Sequence, residues 1–377
     1  MAFMNKVFVA VCLGFFVVCA QATKRASLVK TPVIRWSRGS GFFDVTGYGA
    51  KPDGRTESSK GKSKVFIPAG TFFVGPIDFE GPCPGAMPEV QIMGTLKAPE
   101  GLDAFPKGSW ITFGHIDNLK VSGFGVLDAQ GAKAWRQTTC PQRKKCKNLP
   151  ITLELSRVLN TNITGITLKD GKGFNMAVHK SKHICIDHIH IKAPPESPNT
   201  DGIHVSGSDH VSITNAQIGV GDDCVSVGQG TTNLLVSQVT CGPGHGISIG
   251  SLGKYRNEAD VVGVIVRNCT LKGTTNGLRI KTWPGAGPSQ ARNFIYDNIV
   301  MDNASRVSIS DVLFNNVRGT SASLIAVNFM CSSAAPCKSI RLSNINLRPI
   351  YGDTPTTSSC KNALGRSLGK QQPDACI

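Results

Sequence analysis

Short runs in which apolar and polar residues alternate organise this chain. Val211-Ser212-Ile213-Thr214-Asn215-Ala216-Gln217-Ile218 shows the pattern in full: two apolar positions one residue apart, a polar turn residue, then a further apolar position. The same pattern returns around Gly123, Gly165, His188, Gln238, Asn268, Asn298, Asp311 and Asn344. Period-2 alternation predicts half-buried strands rather than helices. Its recurrence every 20 to 30-odd residues, roughly, predicts the coils of a solenoid whose apolar residues bury against those of the next coil. The expected fold is therefore all-β, a single-domain right-handed parallel β-helix, with a column of Asn and similar side chains satisfying the turns.

A second strand repeats inside the coils, as Ile203-x-Val205, Val225-x-Val227, Ile247-x-Ile249 and Leu278-x-Ile280. Inward apolar residues would send His204, Ser226, Ser248 and Arg279 outward onto one shared face. One interval breaks the rule. Only 13 residues separate Asn298 from Asp311, too few to close a coil, so most of a turn is expected to be missing there.

Composition narrows the class. With 41 glycines, 7% aromatic and 18% charged residues in 377, the chain is unsuited to a coiled coil or helical bundle, and 40% hydrophobic residues argue against disorder. Lys6, the apolar run Val7 to Ala20 and the small-residue end at Ala22 read as a secretory signal. No later apolar stretch reaches the roughly 18 residues of a membrane span. The expected layout is a signal over 1–22, an N-terminal extension over 23–40 and the β-helix over 41–377, giving a secreted monomer.

Thirteen cysteines in an exported chain point to disulfides. Cys12 and Cys19 leave with the signal, and close spacing suggests Cys140–Cys146, Cys224–Cys241, Cys331–Cys337 and Cys360–Cys376. Cys83, Cys185 and Cys269 remain, so at least one thiol is left over. No CxxC occurs, which argues against structural zinc. Asn162-Ile163-Thr164, Asn268-Cys269-Thr270 and Asn303-Ala304-Ser305 are glycosylation sequons.

A formal charge of +16 suggests a polyanionic partner: nucleic acid, anionic lipid, sulfated glycan or acidic polysaccharide. The basic run Arg143-Lys144-Lys145 with Lys147 has no interleaved aromatic residues, which speaks against nucleic acid.

The chemistry lies just before the four repeated strands, at Asn199-Thr200-Asp201-Gly202, Gly221-Asp222-Asp223-Cys224, Gly244-His245-Gly246 and Asn276-Gly277-Leu278-Arg279-Ile280-Lys281. Aligning the apolar pairs puts Asp201, Asp223 and His245 in one column, with Asp222 beside Asp223 and with Arg279 and Lys281 one coil further on. Three carboxylates on neighbouring coils, about 4.8 Å apart, cannot all stay ionised, so one is protonated at mildly acidic pH. A protonated carboxyl facing an ionised one is what glycosidic cleavage requires. The two cations suit a substrate carboxylate, Arg through its planar fork and Lys as a point charge.

In these four ordered motifs, Asn-Thr-Asp, Gly-Asp-Asp, Gly-His-Gly and Arg-Ile-Lys, the chain resembles the polygalacturonases, pectin hydrolases of glycoside hydrolase family 28. The run Cys241 to Gly253 and Arg279-Ile280-Lys281-Thr282-Trp283 resemble plant members, with the flavour of the pollen-type exo-acting group. The resemblance implies inverting hydrolysis of α-1,4-galacturonosyl linkages in de-esterified pectin without metal or cofactor. Asp222 would be the general acid, and Asp201 with Asp223 would activate the water. His245 would tune the acid, Asn199 would contact substrate, and Arg279 and Lys281 would grip the galacturonate carboxylate. Polygalacturonate or pectin is then the partner, in the cell wall. A non-catalytic pectin-binding protein and a calcium-dependent pectate lyase are the competing readings.

Two departures from the family pattern stand out. Only Glu57 to Lys64 separate Asp53-Gly54-Arg55-Thr56 from the first strand, so the N-terminal capping helix is expected to be missing, along with the cysteine that would partner Cys83. The short interval after Asn298 falls where the family carries a coil with a substrate-contacting tyrosine, and no tyrosine lies between Tyr296 and Tyr351.

Overall fold

The computed structural model describes residues 33–35, 41–44, 63–83, 87–137, 149–283, 290–302, 312–331, 336–350, 352 and 354–377. Its chain divides into two compact units, Met1–Ala177 and Val178–Ile377. Both repeat one plan of parallel strands stacked coil upon coil, with a helix at Ala132–Gln137 and a 3-10 turn at Leu102–Ala104. The all-β class and the right-handed parallel β-helix expected from the repeats are what the structure shows.

In the first unit, Ile77–Glu80, Ser109–Gly114 and Ile151–Ser156 pair in register to make one sheet. Ser63–Ile67, Glu89–Ile92 and Lys120–Gly123 make another. Val65, Val90, Val121, Leu127 and Leu153 fill the interior between them.

The second unit carries the repeated strands in the predicted register. Ile203 pairs with Val225, Val225 with Ile247 and Ile247 with Leu278. All four are fully buried, so the alternation does set inside against outside. The next wall stacks Asp209–Thr214, Thr232–Ser237, Val261–Arg267 and Ala291–Asp297. At its corner His188, Asn215, Gln238, Asn268, Asn298, Asn316 and Asn344 all have φ between 49° and 56°, a left-handed conformation that Asn tolerates better than most residues. Asn298 Nδ2 donates to Asn268 Oδ1 at 2.8 Å, and Asn344 Nδ2 to Asn316 Oδ1 at 3.2 Å, continuing the column.

That column corrects one alignment. The step after Asn298 is Asn316, not Asp311, which lies outside the described residues. Val312–Asn315 pairs directly with Ala291–Asp297, and Asn315 Nδ2 donates to Asp297 Oδ1, 18 residues earlier, where the preceding step spans 30. Parallel pairing needs only the corner and two walls to be present, so the stack closes over a shortened coil. Among the described residues, the sheet bearing the four chemical motifs ends at Leu278–Thr282. Ile325–Met330 pairs instead with Thr357–Lys361 in a separate two-stranded sheet.

Three of the expected disulfides are formed: Cys224–Cys241, Cys331–Cys337 and Cys360–Cys376. Cys140, Cys146, the signal, the segment 45–62 and the Asn303 sequon lie outside the described residues. No helix among those described is long and apolar enough to cross a membrane.

Candidate active site

Each chemical residue sits on a turn leading into one of the repeated strands, and backbone hydrogen bonds zip these turns together. Gly202 N donates to Asp223 O at 2.8 Å, Cys224 N to Gly246 O at 2.8 Å, and Ile247 N to Gly277 O at 3.0 Å. Thr200 Oγ1 accepts from Gly221 N at 3.0 Å, tying the Asn-Thr-Asp turn to the Gly-Asp-Asp turn. The Cys224–Cys241 bridge begins at the residue after Asp223 and pins that turn from inside.

Gly-His-Gly has a steric explanation. Gly244 and Gly246 have φ of 152° and 85°, and a Cβ on Gly246 would lie 2.1 Å from the Gly277 carbonyl oxygen. Only glycine fits at either flank, which leaves His245 as the single side chain on the turn. Its N–H donates to Asp222 O at 2.7 Å, and its Nδ1 lies 3.0 Å from Asp222 Oδ1.

The three aspartates have different surroundings. Asp223 is fully buried. Its Oδ1 accepts from Ser248 Oγ at 2.6 Å and from an Arg279 Nη at 2.7 Å, and its Oδ2 accepts from Lys281 Nζ at 2.5 Å. Arg279 Nε donates to Ser248 Oγ at 2.9 Å, completing a closed network. Asp222 is half-buried: burial opposes its charge, but the His245 hydrogen bond and the charges of His245 and Lys281 hold its carboxyl below the ordinary value. Asp201 is buried, and burial together with the charges of Asp222 and Asp223 pushes it up to about 7. The hydrogen bond to Asp222 raises His245 above its usual value against the opposing effect of burial.

The structure thus gathers Asp201, Asp222, Asp223, His245, Arg279 and Lys281 into one constellation, with Asn199 exposed on the same turn as Asp201 at φ 54°. Sequence reasoning placed Ser226 and Ser248 on this face without giving them a task. The structure gives them one: Ser248 bridges Arg279 and Asp223, while Ser226 Oγ lies 2.8 Å from His204 Nδ1 and hydrogen-bonds Asp201. Burial, His179 and Lys281 drive His204 down to about 4, so it is neutral. The in-register position of each serine beside its partner was the available signal.

Asp222, Asp223 and His245 bring ligand atoms within 4.8 Å of one another, which invites a test for metal. The donor set does not fit. Both Asp223 oxygens already face cationic side chains, and a divalent ion there would sit against Arg279 and Lys281. A carboxylate trio beside two cations suits proton transfer next to an anionic ligand better than metal binding.

Comparison with known proteins converges on one family. The sequence model of glycosyl hydrolases family 28 matches residues 58–306 and 302–369, its two segments meeting at the shortened coil. An exopolygalacturonase of Zea mays is 40% identical over 373 residues, covering 89% of this chain and 91% of that protein. An exopolygalacturonase of Platanus acerifolia is 39% identical over 363 residues, with 88% and 96% covered. Among solved structures, an endo-xylogalacturonan hydrolase from Aspergillus tubingensis superposes with a TM-score of 0.70 over 82% of this chain and 91% of that one, at 21% identity, a likeness of fold. On this match in sequence and architecture, the chain belongs to glycosyl hydrolases family 28.

Proposed function

We propose that the chain hydrolyses α-1,4-galacturonosyl linkages of de-esterified pectin with inversion, releasing units from the chain end. The observation that carries this reading is three carboxylates on adjoining turns beside Arg279 and Lys281. The names of its plant relatives support galacturonan as substrate and favour exo over endo action. A cleavable signal and disulfides suit secretion to the cell wall.

Asp222 is the carboxyl open to a leaving oxygen, and His245, raised by that same carboxyl, holds at mildly acidic pH the proton that passes through Asp222 to that oxygen as the glycosidic bond breaks, leaving His245 neutral. Asp201 gives up its proton near neutrality and, once ionised, orients the attacking water. Asp223 is occupied by both cations in the free enzyme. A substrate carboxylate that draws Lys281 and Arg279 toward itself loosens that hold and lets Asp223 share the water. Charge on the substrate thereby becomes a condition for assembling the base, beyond simple attraction.

The test is reducing-end release from polygalacturonate, with the anomer of the first product followed by proton NMR. Inverted product from polygalacturonate, and none from a neutral glucan, is the expected result. The shortened coil favours a second reading, a pectin-binding protein without turnover. Binding of oligogalacturonate with no release of reducing ends would establish it.

A further inference from the structure

The strand that carries Arg279 and Lys281 does not stop presenting side chains at Thr282. Trp283 N donates to Leu252 O at 2.8 Å, so the ladder runs one residue further. Trp283 has the outward parity of Arg279 and Lys281, roughly 7 Å past Lys281 along the strand. Trp283 is 54% exposed and Tyr255 59%. Between them Lys254 Nζ stands 5.4 Å from the Tyr255 ring centroid and 5.8 Å from that of Trp283.

The loop holding Lys254 and Tyr255 is anchored. The buried Glu258 carboxylate accepts three backbone N–H groups, from Gly253 at 2.6 Å, Lys254 at 2.9 Å and Tyr255 at 2.8 Å. One carboxylate therefore satisfies the turn's donors and fixes where the two side chains emerge. Lys254 makes no ion pair among the described residues, so its charge stays available. Two exposed rings flanking a cation, continuous with the strand of Arg279 and Lys281, form a surface with one chemical complement. A pyranose packs its electron-poor C–H face on an aromatic ring, and a uronate adds a carboxylate for the ammonium.

We infer that Lys254, Tyr255 and Trp283 form a second uronate-binding platform, positioned by Glu258, for a galacturonate unit of the same polymer that Arg279 and Lys281 engage. The inference rests on the galacturonan reading above and extends it. A neutral hexose would stack on the rings and leave Lys254 unpaired, so the platform adds selectivity for acid.

Binding is read in the Asp222→Asn chain at mildly acidic pH, by calorimetry and tryptophan fluorescence with trigalacturonate as probe. Trp283→Ala is expected to weaken binding about tenfold, about 1.4 kcal/mol, in keeping with loss of an aromatic and cation contact. Trp283→Phe should keep affinity within about threefold yet lose most of the fluorescence change, a readout that a merely structural role would not move. Lys254→Gln should weaken binding and flatten its salt dependence, and it keeps the test alive should Trp283→Ala fold poorly. Unchanged affinity in Trp283→Ala and Lys254→Gln, or a full fluorescence response in Trp283→Phe, overturns the platform alone if the wild type still cleaves polygalacturonate. A wild-type chain that does not cleave the acidic polymer, with an Asp222→Asn chain that does not bind it, overturns the galacturonan reading, and the platform falls with it.

Discussion

Two aspartates one residue apart in sequence behave differently because one is open and one is sealed. Asp222 faces His245 and stays half-buried, while Asp223 is surrounded by Ser248, Arg279 and Lys281. Asp222→Asn keeps the shape but cannot pass the His245 proton to the leaving oxygen. It should lower kcat by roughly 10²- to 10⁴-fold while binding of trigalacturonate, measured by calorimetry, stays nearly intact. Asp201 predicts a separable effect on stability. Its folded pKa of about 7 lies above the ordinary 3.8, so its contribution to stability is fully present below about pH 4 and is lost as pH rises through 7. Asp201→Asn removes the buried charge. Thermal melts should show the variant more stable than the parent at pH 8, by something on the order of 2–4 kcal/mol, with the difference gone by pH 4 and activity lost throughout. In the parent, turnover needs Asp201 ionised while His245 keeps its proton, so kcat/KM should rise on an acidic limb as Asp201 ionises near pH 7 and fall on an alkaline limb as His245 deprotonates.

At the scale of the element, the turns matter as much as the strands they feed. Gly246→Ala forces a side chain into φ 85° and against the Gly277 carbonyl, so the turn must move and His245 with it. A loss of about 2–4 kcal/mol in stability, with a fall in kcat larger than the loss of folded protein explains, is the expected result in paired melting and kinetic measurements. The Cys224–Cys241 bridge closes a loop of 17 residues that contains Gly-Asp-Asp's exit strand, and its removal should cost about 3 kcal/mol by chain entropy. Replacing both cysteines by serine and following denaturant unfolding checks this.

For the molecule as a whole, the shortened coil is the structural oddity. The walls continue across it through Val312–Asn315 and Arg318–Ser321, but among the described residues Leu278–Thr282 has a strand partner on one side. An open sheet edge next to the site invites association with other chains. Recombinant 23–377 should therefore run largely as aggregate on size exclusion and release reducing ends slowly. Inserting a full coil that carries a tyrosine after Asp302 should restore both monomer and rate. A soluble parent with vigorous hydrolysis would show that this coil is dispensable.

The sequence alone determined the coil plan, the register of the four site strands and the membership of Asp201, Asp222, Asp223, His245, Arg279 and Lys281 in one face. Those features follow from alternation and spacing, which are local and survive in one dimension. Asp311 marks where that reasoning failed: an apolar-polar pattern can be matched several residues off when a coil is short, and only the paired walls identify Asn316 as the next step. Tertiary structure alone decided which aspartate keeps a proton, because burial and the charges that set it arrive from other turns. It also decided that Asp223 lies under Arg279 and Lys281, residues 56 and 58 positions away, and that Glu258 holds Lys254 and Tyr255 beside Trp283. Electrostatic energy depends on distance and dielectric between groups, and stacking the coils is what creates both.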